Sequence, residues 1–384
     1  MNLNSLRSMG SKNRFLKDVP MNHKQIEKNH KSREDLISRT DLVSRRDLSR
    51  TDLISRRDFS SKLLKTGLGL AAAAVLPSFV YAGKKSLTDP GAYPEGRYLD
   101  VHHHLGRDLL TSADRFTFDP ILKWMDENDV SQTVILSPIQ YPGTRYPVVE
   151  TETINNEELL ERFEDTNDRL LPFCVVHPDA FDSSREITKI LKRCRKKGVV
   201  GFGELKPRDK NGKAGILSLD DPSMKRLYAA CSDVGFPVLL HIDDKHAVDE
   251  VGLPAMERVL KEFPEVDFIG HANGWWNSIS GDVTALKGYD KGKVTEGGAA
   301  VRLLEEYPNM YADLSANSGL NAITRDPEFG MNFLKTHSDK LMFGTDAQGG
   351  TGRESHFEFF DEADLSQDEK LKIFGENART LLNI

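Results

Sequence analysis

The segment Asp100-Val-His-His-His104 closes a short apolar run and decides the interpretation of the whole chain. Alternate side chains of a strand point to the same face, so we expect His102 and His104 to face one spot and His103 to pack on the opposite face. Two imidazoles at the end of one strand can bind a divalent metal ion. The segment therefore predicts a metal site at the end of the first strand.

Three later apolar runs each end in another group that can bind a metal: His241 follows PVLL, His271 follows FIG, and Asp346 follows FGT. From Tyr98 onward, β-rich runs alternate with amphipathic helical stretches, which is typical of repeated βα units. Eight such units over roughly 290 residues predict a (β/α)8 TIM barrel, with functional side chains at the carboxyl ends of the strands. A doubly wound sheet is disfavoured because no glycine-rich phosphate fingerprint follows the first strand.

The same pattern gives bounds for the elements of the barrel. The predicted strands are Tyr98–His103, Thr133–Ser137, Leu171–Val176, Val199–Leu205, Val238–His241, Val266–Gly270, Met310–Leu314 and Leu341–Gly344. The predicted helices are Pro120–Glu127, Asn156–Asn167, Ser184–Lys196, Pro222–Val234, Pro254–Glu262, Gly298–Tyr307, Gly330–Thr336 and Gln367–Ile384.

The chain before the barrel has a different composition. Residues 1–54 repeat a unit such as Ser38-Arg-Thr-Asp-Leu at a spacing too short for a solenoid, and they predict a disordered repetitive leader. A further copy, Ser55-Arg-Arg-Asp-Phe59, runs into a Gly- and Ala-rich apolar stretch that ends at Ala82, an arrangement typical of an export signal. Its arginine pair resembles a twin-arginine signal. We therefore expect residues 55–82 to engage the twin-arginine machinery, residues 83–384 to form the barrel, and the protein to be periplasmic.

Two alternatives stay open for this signal: cleavage after Ala82, or a basic amphipathic leader that is never cleaved. The apolar stretch is broken by Pro77 and is shorter than the roughly 20 residues that a bilayer requires, so no stable membrane anchor is expected.

Charge is divided unevenly along the chain. Of 52 basic and 59 acidic residues, 16 and 8 lie in residues 1–82, which leaves 36 and 51 and a net charge of about −15 for the remainder. A body with this charge repels nucleic acid and anionic lipid, so nucleic acid is not an expected partner. We expect a small-molecule substrate, and a homo-oligomer is left open.

Taken in chain order, the HxH pair, the two later histidines and the aspartate resemble the amidohydrolase superfamily over residues 98–384. The motif Phe343-Gly-Thr-Asp346 and the closing Glu376-Asn-Ala-Arg-Thr-Leu-Leu resemble its amidohydrolase 2 branch, which includes aminocarboxymuconate semialdehyde decarboxylase and related hydrolases. The resemblance implies one divalent metal per chain, with zinc expected and manganese or iron as alternatives. The implied ligands are His102, His104, His241 and Asp346, with Glu204 as a further candidate.

The resemblance also implies catalytic roles. Asp346 would take the proton of the attacking water, and His271 would polarise the substrate carbonyl or carry a proton. Asp100 is expected to orient a metal ligand from behind. Glu204 and Lys206 share one face at the end of the fourth strand, where either could bridge a second metal, Lys206 after carbamylation, or the two could form an ion pair that shapes the pocket.

Other residues are candidates for the pocket wall. Trp275 and Trp276 would either stack on a substrate ring or anchor their loop in the core. Arg325, Arg208 and Arg107, together with Lys206, are candidates to hold a substrate carboxylate. Three further histidines fall in loop or helix contexts and are expected at the surface: His246, His337 and His356.

These expectations combine into one main hypothesis, an exported metal-dependent hydrolase of a small cyclic or carboxylated ester, lactone or amide. The alternative enzyme is a metal-dependent nonoxidative decarboxylase, in which an acid of the site protonates carbon. A noncatalytic binding barrel is the third class, and an intact set of candidate ligands argues against it.

Overall fold

The computed structural model describes residues 96–105, 117–136, 163, 166–207 and 217–384. The predicted leader, the predicted signal, Arg107 and Arg208 lie outside these residues. Among the described residues, no helix is long and apolar enough to cross a membrane.

Nine strand segments form one parallel sheet, as expected for successive βα units. Their bounds are β1 Tyr98–His104, β2 Val130–Leu136, β3 Leu170–Cys174, β4 Gly201–Leu205, β5 Val238–His241, β6 Phe268–His271, β7 Met310–Asp313, β8 Leu341–Met342 and β9 Ala347–Gln348. A separate two-stranded pair joins Leu217–Ser218 to Ala247–Val248.

The last two segments close the sheet into a ring. Leu341–Met342 pairs with β7, whereas Ala347–Gln348 pairs with β1. Between them, the Phe343 carbonyl accepts from the Val101 N–H at 3.0 Å. Residues 341–348 therefore act as one interrupted strand between the first and seventh strands, which confirms the predicted (β/α)8 barrel.

Burial explains why these sequences form strands. All seven residues of β1 and all seven of β2 are buried, including the polar ones. Strands covered by side chains on one face and helices on the other read as continuous apolar runs rather than as an alternating pattern. The polar positions within such runs are for this reason the informative ones.

The helices cover the outside of the barrel. Their bounds are α1 Asp119–Glu127, α2 Ser184–Lys196, α3 Pro222–Val234, α4 Pro254–Glu262, α5 Ala272–Asn277, α6 Ala299–Glu306, α7 Ala316–Thr324, α8 Pro327–Thr336, α9 Glu354–Glu362, α10 Gln367–Leu371 and α11 Asn377–Leu382. A 3-10 helix spans Pro178–Ala180, and a π-helix spans Lys372–Glu376. The bounds of α2, α3 and α4 match the predicted ones, because their apolar residues recur every three or four positions.

Three helices were not predicted: α5, α7 and α9. Two of them begin directly after the strand ends of β6 and β7, where glycine and polar residues conceal the helical period. The predicted closing helix is also interrupted, since the π-helix Lys372–Glu376 divides it into α10 and α11.

The expectation of surface positions for three histidines is wrong. His246, His337 and His356 are 6%, 7% and 0% exposed. Each ring has a buried neighbour: His246 Nδ1 lies 2.8 Å from Asp243 Oδ2, His356 Nε2 donates to a backbone carbonyl at 3.1 Å, and His337 packs on an aromatic ring. The loop and helix contexts gave no sign of these contacts, which depend on the tertiary fold.

Asp100 joins the first strand to the last. Its Oδ1 accepts from the backbone N–H of His102 at 3.0 Å and from that of Thr345 at 2.9 Å, and its Oδ2 accepts from Thr345 Oγ1 at 2.7 Å. The side chain is fully buried. Asp100 thus orients the HxH pair through the backbone of β1, while it also holds the strand that closes the ring.

We expect Asp100→Ala to lower the free energy of unfolding by about 3 kcal/mol, because it leaves three buried donors without an acceptor. Urea unfolding of the full chain measures the loss. Asp339→Ala is the control, since this exposed aspartate pairs with Lys372 at the surface and should cost less than about 1 kcal/mol. Equal losses for the two variants would show that closure does not depend on Asp100.

Candidate metal centre

Polar side chains converge where the strands end, at one mouth of the barrel. They come from β1, β4, β5, β6, β7 and the segment between β8 and β9. In that order they are His102 and His104, Glu204, His241, His271, Asp313, and Asp346. The carboxyl ends of barrel strands meet at one face, which explains how residues so distant in sequence come together.

The HxH pair and Asp346 form the first group of potential ligands. His102 Nε2 lies 3.3 Å from His104 Nε2, and Asp346 Oδ1 lies 3.3 Å from His104 Nε2 and 3.7 Å from His102 Nε2. Both imidazoles are buried, as β1 geometry requires. Three potential ligand atoms this close together, two of them imidazole nitrogens, are suited to a divalent metal ion.

Asp346 has an unusual backbone that brings its side chain to this place. Its φ of 59° is left-handed and interrupts the last strand. Burial opposes ionisation of its carboxyl, but the hydrogen bond from His104 and the neighbouring His102 hold its pKa well below the usual range. Asp346 is therefore a carboxylate at neutral pH.

Glu204 supplies the clearest indication that a cation belongs here. Its Oε1 contacts His241 Nδ1 and lies 3.5 Å from His271 Nε2, and its Oε2 lies 3.5 Å from His104 Nε2. Burial opposes its ionisation, yet Lys206 and His241 hold its pKa well below the usual range. The buried Oε2 nevertheless has no hydrogen-bond partner. An ionised oxygen without a donor, 3.5 Å from an imidazole nitrogen of the HxH pair, fits a site that binds a divalent metal.

The structure places His241 differently from the other predicted ligands. One ring nitrogen, Nδ1, contacts Glu204, and the other, Nε2, lies 3.2 Å from Asp243 Oδ2. His241 groups with Asp243 and His246, and it reaches the HxH pair through Glu204. Asp243 was not predicted from the sequence, although its position two residues after the strand end could have indicated a place near the site.

The pKa values of the two central imidazoles, His102 and His271, are shifted in opposite directions. Burial and the charge of His271 lower the pKa of His102, which favours the neutral ring that a metal ligand needs. Burial opposes the charged form of His271, but Asp313 and Glu204 outweigh it and raise its pKa. The carboxylates around His271 therefore favour its protonated form more than they favour that of His102.

Arg353 is a second residue that the sequence analysis missed. Its Nη2 lies 3.3 Å from Asp346 Oδ2, and its Nη1 donates to Asn317 Oδ1 at 2.8 Å. The side chain is 24% exposed, so it lies at the rim of the site. Its signal in the sequence was weak, because it follows the glycine-rich stretch after Asp346.

The predicted pocket-wall residues have varied positions. Trp275 and Trp276 are 0% and 2% exposed in α5, so they anchor that segment in the core and offer no exposed ring to a substrate. Lys206 Nζ lies 3.8 Å from Glu204 Oε1, which is the ion-pair arrangement. Arg325 directly follows α7, and its backbone N–H donates to the Asn321 carbonyl at 3.0 Å.

Full-length protein purified without chelators is expected to contain one divalent metal ion per chain, measured by inductively coupled plasma mass spectrometry. The double variant His102→Ala/His104→Ala should lose it, because only one carboxylate of the first group remains. His337→Asn is the control, at a buried histidine that directly follows α8 outside the centre, and should keep the metal. Retention of the ion by the double variant would contradict this assignment.

Comparisons with solved structures give relatives of low identity. An uncharacterised TIM-barrel protein from Bordetella bronchiseptica is 16% identical, with a TM-score of 0.53 over 74% of this chain and 98% of that one. A dihydroxybenzoic acid decarboxylase from Polaromonas sp. JS666, with bound manganese and the inhibitor 2-nitroresorcinol, is 17% identical, with a TM-score of 0.49 over 75% and 97%. A 2,6-dihydroxybenzoate decarboxylase from Rhizobium is 16% identical, with a TM-score of 0.48 over 76% and 99%.

At these identities the likeness concerns the fold. No curated protein matches the chain. The family model for amidohydrolases matches residues 99–384, which include every residue of the centre and all strand residues of the barrel except Tyr98. By this match the chain belongs to the amidohydrolase family.

Proposed function

We propose that this enzyme is a metal-dependent hydrolase that directs water to the carbonyl of a small cyclic or carboxylated ester, lactone or amide. One observation carries the proposal: the ionised Asp346 lies 3.3 Å from His104 Nε2, next to the HxH pair. A carboxylate in this position can bind the metal and can also accept the proton of the attacking water, and hydrolysis uses both roles.

The donor set supports zinc as the resident metal, with manganese or iron as alternatives. Imidazole nitrogens and carboxylate oxygens suit all three ions. We assign the binding to His102, His104 and Asp346, with Glu204 as a further ligand through its unpartnered Oε2. When bound, the ion would polarise a water molecule and the substrate carbonyl.

The side chains divide the proton transfers between them. Asp346 accepts the proton of the attacking water. His271, whose pKa is raised by Asp313 and Glu204 against the effect of burial, donates a proton to the leaving group. Arg353 at the rim and Lys206 beside Glu204 supply positive charge for a substrate carboxylate.

Decarboxylation is the second candidate, and the raised pKa of His271 favours it. A protonated imidazole can deliver its proton to the carbon from which carbon dioxide departs. The same two cations, Lys206 and Arg353, would hold the carboxylate before it leaves. The two reactions differ in proton balance, since ester hydrolysis releases a proton at neutral pH and decarboxylation consumes one.

A substrate panel separates the two reactions. We would present lactones, esters, amides and hydroxylated benzoates to the metal-loaded full chain, and record both proton release in a pH-stat and carbon dioxide in the headspace. Hydrolysis of an ester or lactone predicts proton release without carbon dioxide. Hydrolysis of an amide, whose released amine takes up the proton, is measured instead as free amine without carbon dioxide. Carbon dioxide from a hydroxybenzoate, without turnover of any ester, lactone or amide, would replace the proposal by the second candidate.

On any substrate found, Asp346→Asn should reduce kcat by about three or more orders of magnitude, because an amide cannot accept the proton of water. His271→Asn should cause a comparable loss. Asp364→Asn, at an exposed aspartate that pairs with Lys335, is the matched control and should leave kcat unchanged. Full activity of Asp346→Asn would refute the proposed mechanism.

We also propose that residues 55–82 direct export to the periplasm through the twin-arginine machinery. Replacing Arg56 and Arg57 by lysine should keep the protein in the cytoplasm, since this pathway depends on the arginine pair. The chain offers a matched control, because Arg45 and Arg46 form the same pair within an earlier repeat. Their replacement by lysine should not change the periplasmic fraction, measured by cell fractionation and immunoblotting.

A further inference from the structure

Asp313 is a fully buried carboxylate between the two central imidazoles. His102 Nδ1 lies 2.8 Å from its Oδ2, and His271 Nδ1 lies 3.0 Å from its Oδ1. The two rings lie close together, with centroids 4.2 Å apart. One carboxylate therefore contacts both a predicted metal ligand and the predicted proton carrier.

The surrounding structure fixes Asp313 in place. Asp313 ends β7 and pairs with Met342 of the closing strand. Its Oδ1 also accepts from the backbone N–H and the hydroxyl of Ser315, and its backbone carbonyl accepts from Trp276 Nε1 at 3.1 Å. A carboxylate held at so many points has little freedom to follow one ring and abandon the other.

We propose that Asp313 is a positioning residue that holds His102 and His271 in the same orientation, each with a proton on Nδ1. Because a carboxylate has no proton at neutral pH, both of its oxygens can accept at once. The Nε2 atom of each ring is then directed to the centre: that of His102 towards His104 Nε2 at 3.3 Å, and that of His271 towards Glu204 Oε1 at 3.5 Å. The effect on turnover rests on the proposed function, whereas the ring orientation does not.

This arrangement makes the metal ligand and the proton carrier depend on one group. A metal ligand needs a free lone pair at Nε2, and a proton on Nδ1 secures it. The proton carrier His271 needs its Nε2 free to exchange a proton, and the contact of its Nδ1 with Asp313 Oδ1 leaves Nε2 free. Aspartate meets both needs at position 313, and an amide of the same shape cannot.

The direct test is nitrogen NMR of the full chain containing ¹⁵N-labelled histidine, with His102→Asn and His271→Asn variants to assign the signals. The expected result is a proton on Nδ1 of both rings in the native protein. A proton on Nε2 and none on Nδ1 in metal-free His102 would overturn the proposal. This measurement requires neither a substrate nor a stable Asp313 variant.

The second test is Asp313→Asn. The side-chain amide can accept from one ring only and must donate to the other, so at least one ring should lose its Nδ1 proton. Reorientation of His102 should weaken zinc binding by about 10- to 100-fold in a competition assay with a chromogenic chelator. Reorientation of His271 should instead reduce kcat by about 10⁴-fold at saturating zinc, the size of loss seen when a catalytic histidine takes the wrong tautomer.

Asp249→Asn is the matched control, a partly buried aspartate that accepts only from backbone N–H groups at the start of α4. It should leave zinc affinity within threefold of the native value. If Asp313→Asn keeps both Nδ1 protons and also binds zinc within threefold, the proposal is wrong. If both readouts change but no substrate is ever hydrolysed, the positioning role stands and the proposed function fails.

Discussion

Negative charge buried among imidazoles is the constraint on which the centre depends. Glu204, Asp313 and Asp346 lose hydration on folding, and an isolated carboxylate in such surroundings would take up a proton instead. The histidines and Lys206 keep all three ionised. Each carboxylate in turn fixes the orientation of at least one ring. The pairs are interdependent, so removal of a single partner leaves a buried group uncompensated.

The barrel fold tolerates this concentration of charge because the rest of its core is apolar and well packed. Most of the core is apolar, and the ionised groups of the centre follow the carboxyl ends of the strands. Asp100 and Thr345 extend the polar network one layer down, where they connect the first strand to the last. Trp275 and Trp276 are buried beside this network, where Trp276 Nε1 donates to the Asp313 carbonyl. The network is therefore packed against buried side chains.

Much of the barrel and several residues of its centre could be predicted from the sequence, whereas residues whose roles depend on distant contacts could not. Strand ends are marked locally by a polar residue after an apolar run, so His102, His104, His271 and Asp346 were identified without coordinates. Asp313 also follows an apolar run, yet its importance lies in contacts with His102 and His271, which are more than forty positions away in the chain. The burial of His356 likewise depends on a contact with α7, where its Nε2 lies 3.1 Å from the Ala316 carbonyl oxygen, forty positions away in the chain.

The interruption of the last strand at Asp346 has a consequence for how substrate enters. This strand bonds to β7 before the interruption and to β1 after it, and the backbone N–H of Asp346 donates to the His102 carbonyl at 2.7 Å. The segment that carries the carboxylate cannot swing outward without opening the ring of strands. This side of the mouth is therefore a rigid wall, and a substrate has to fit against the carboxylate where the ring of strands holds it.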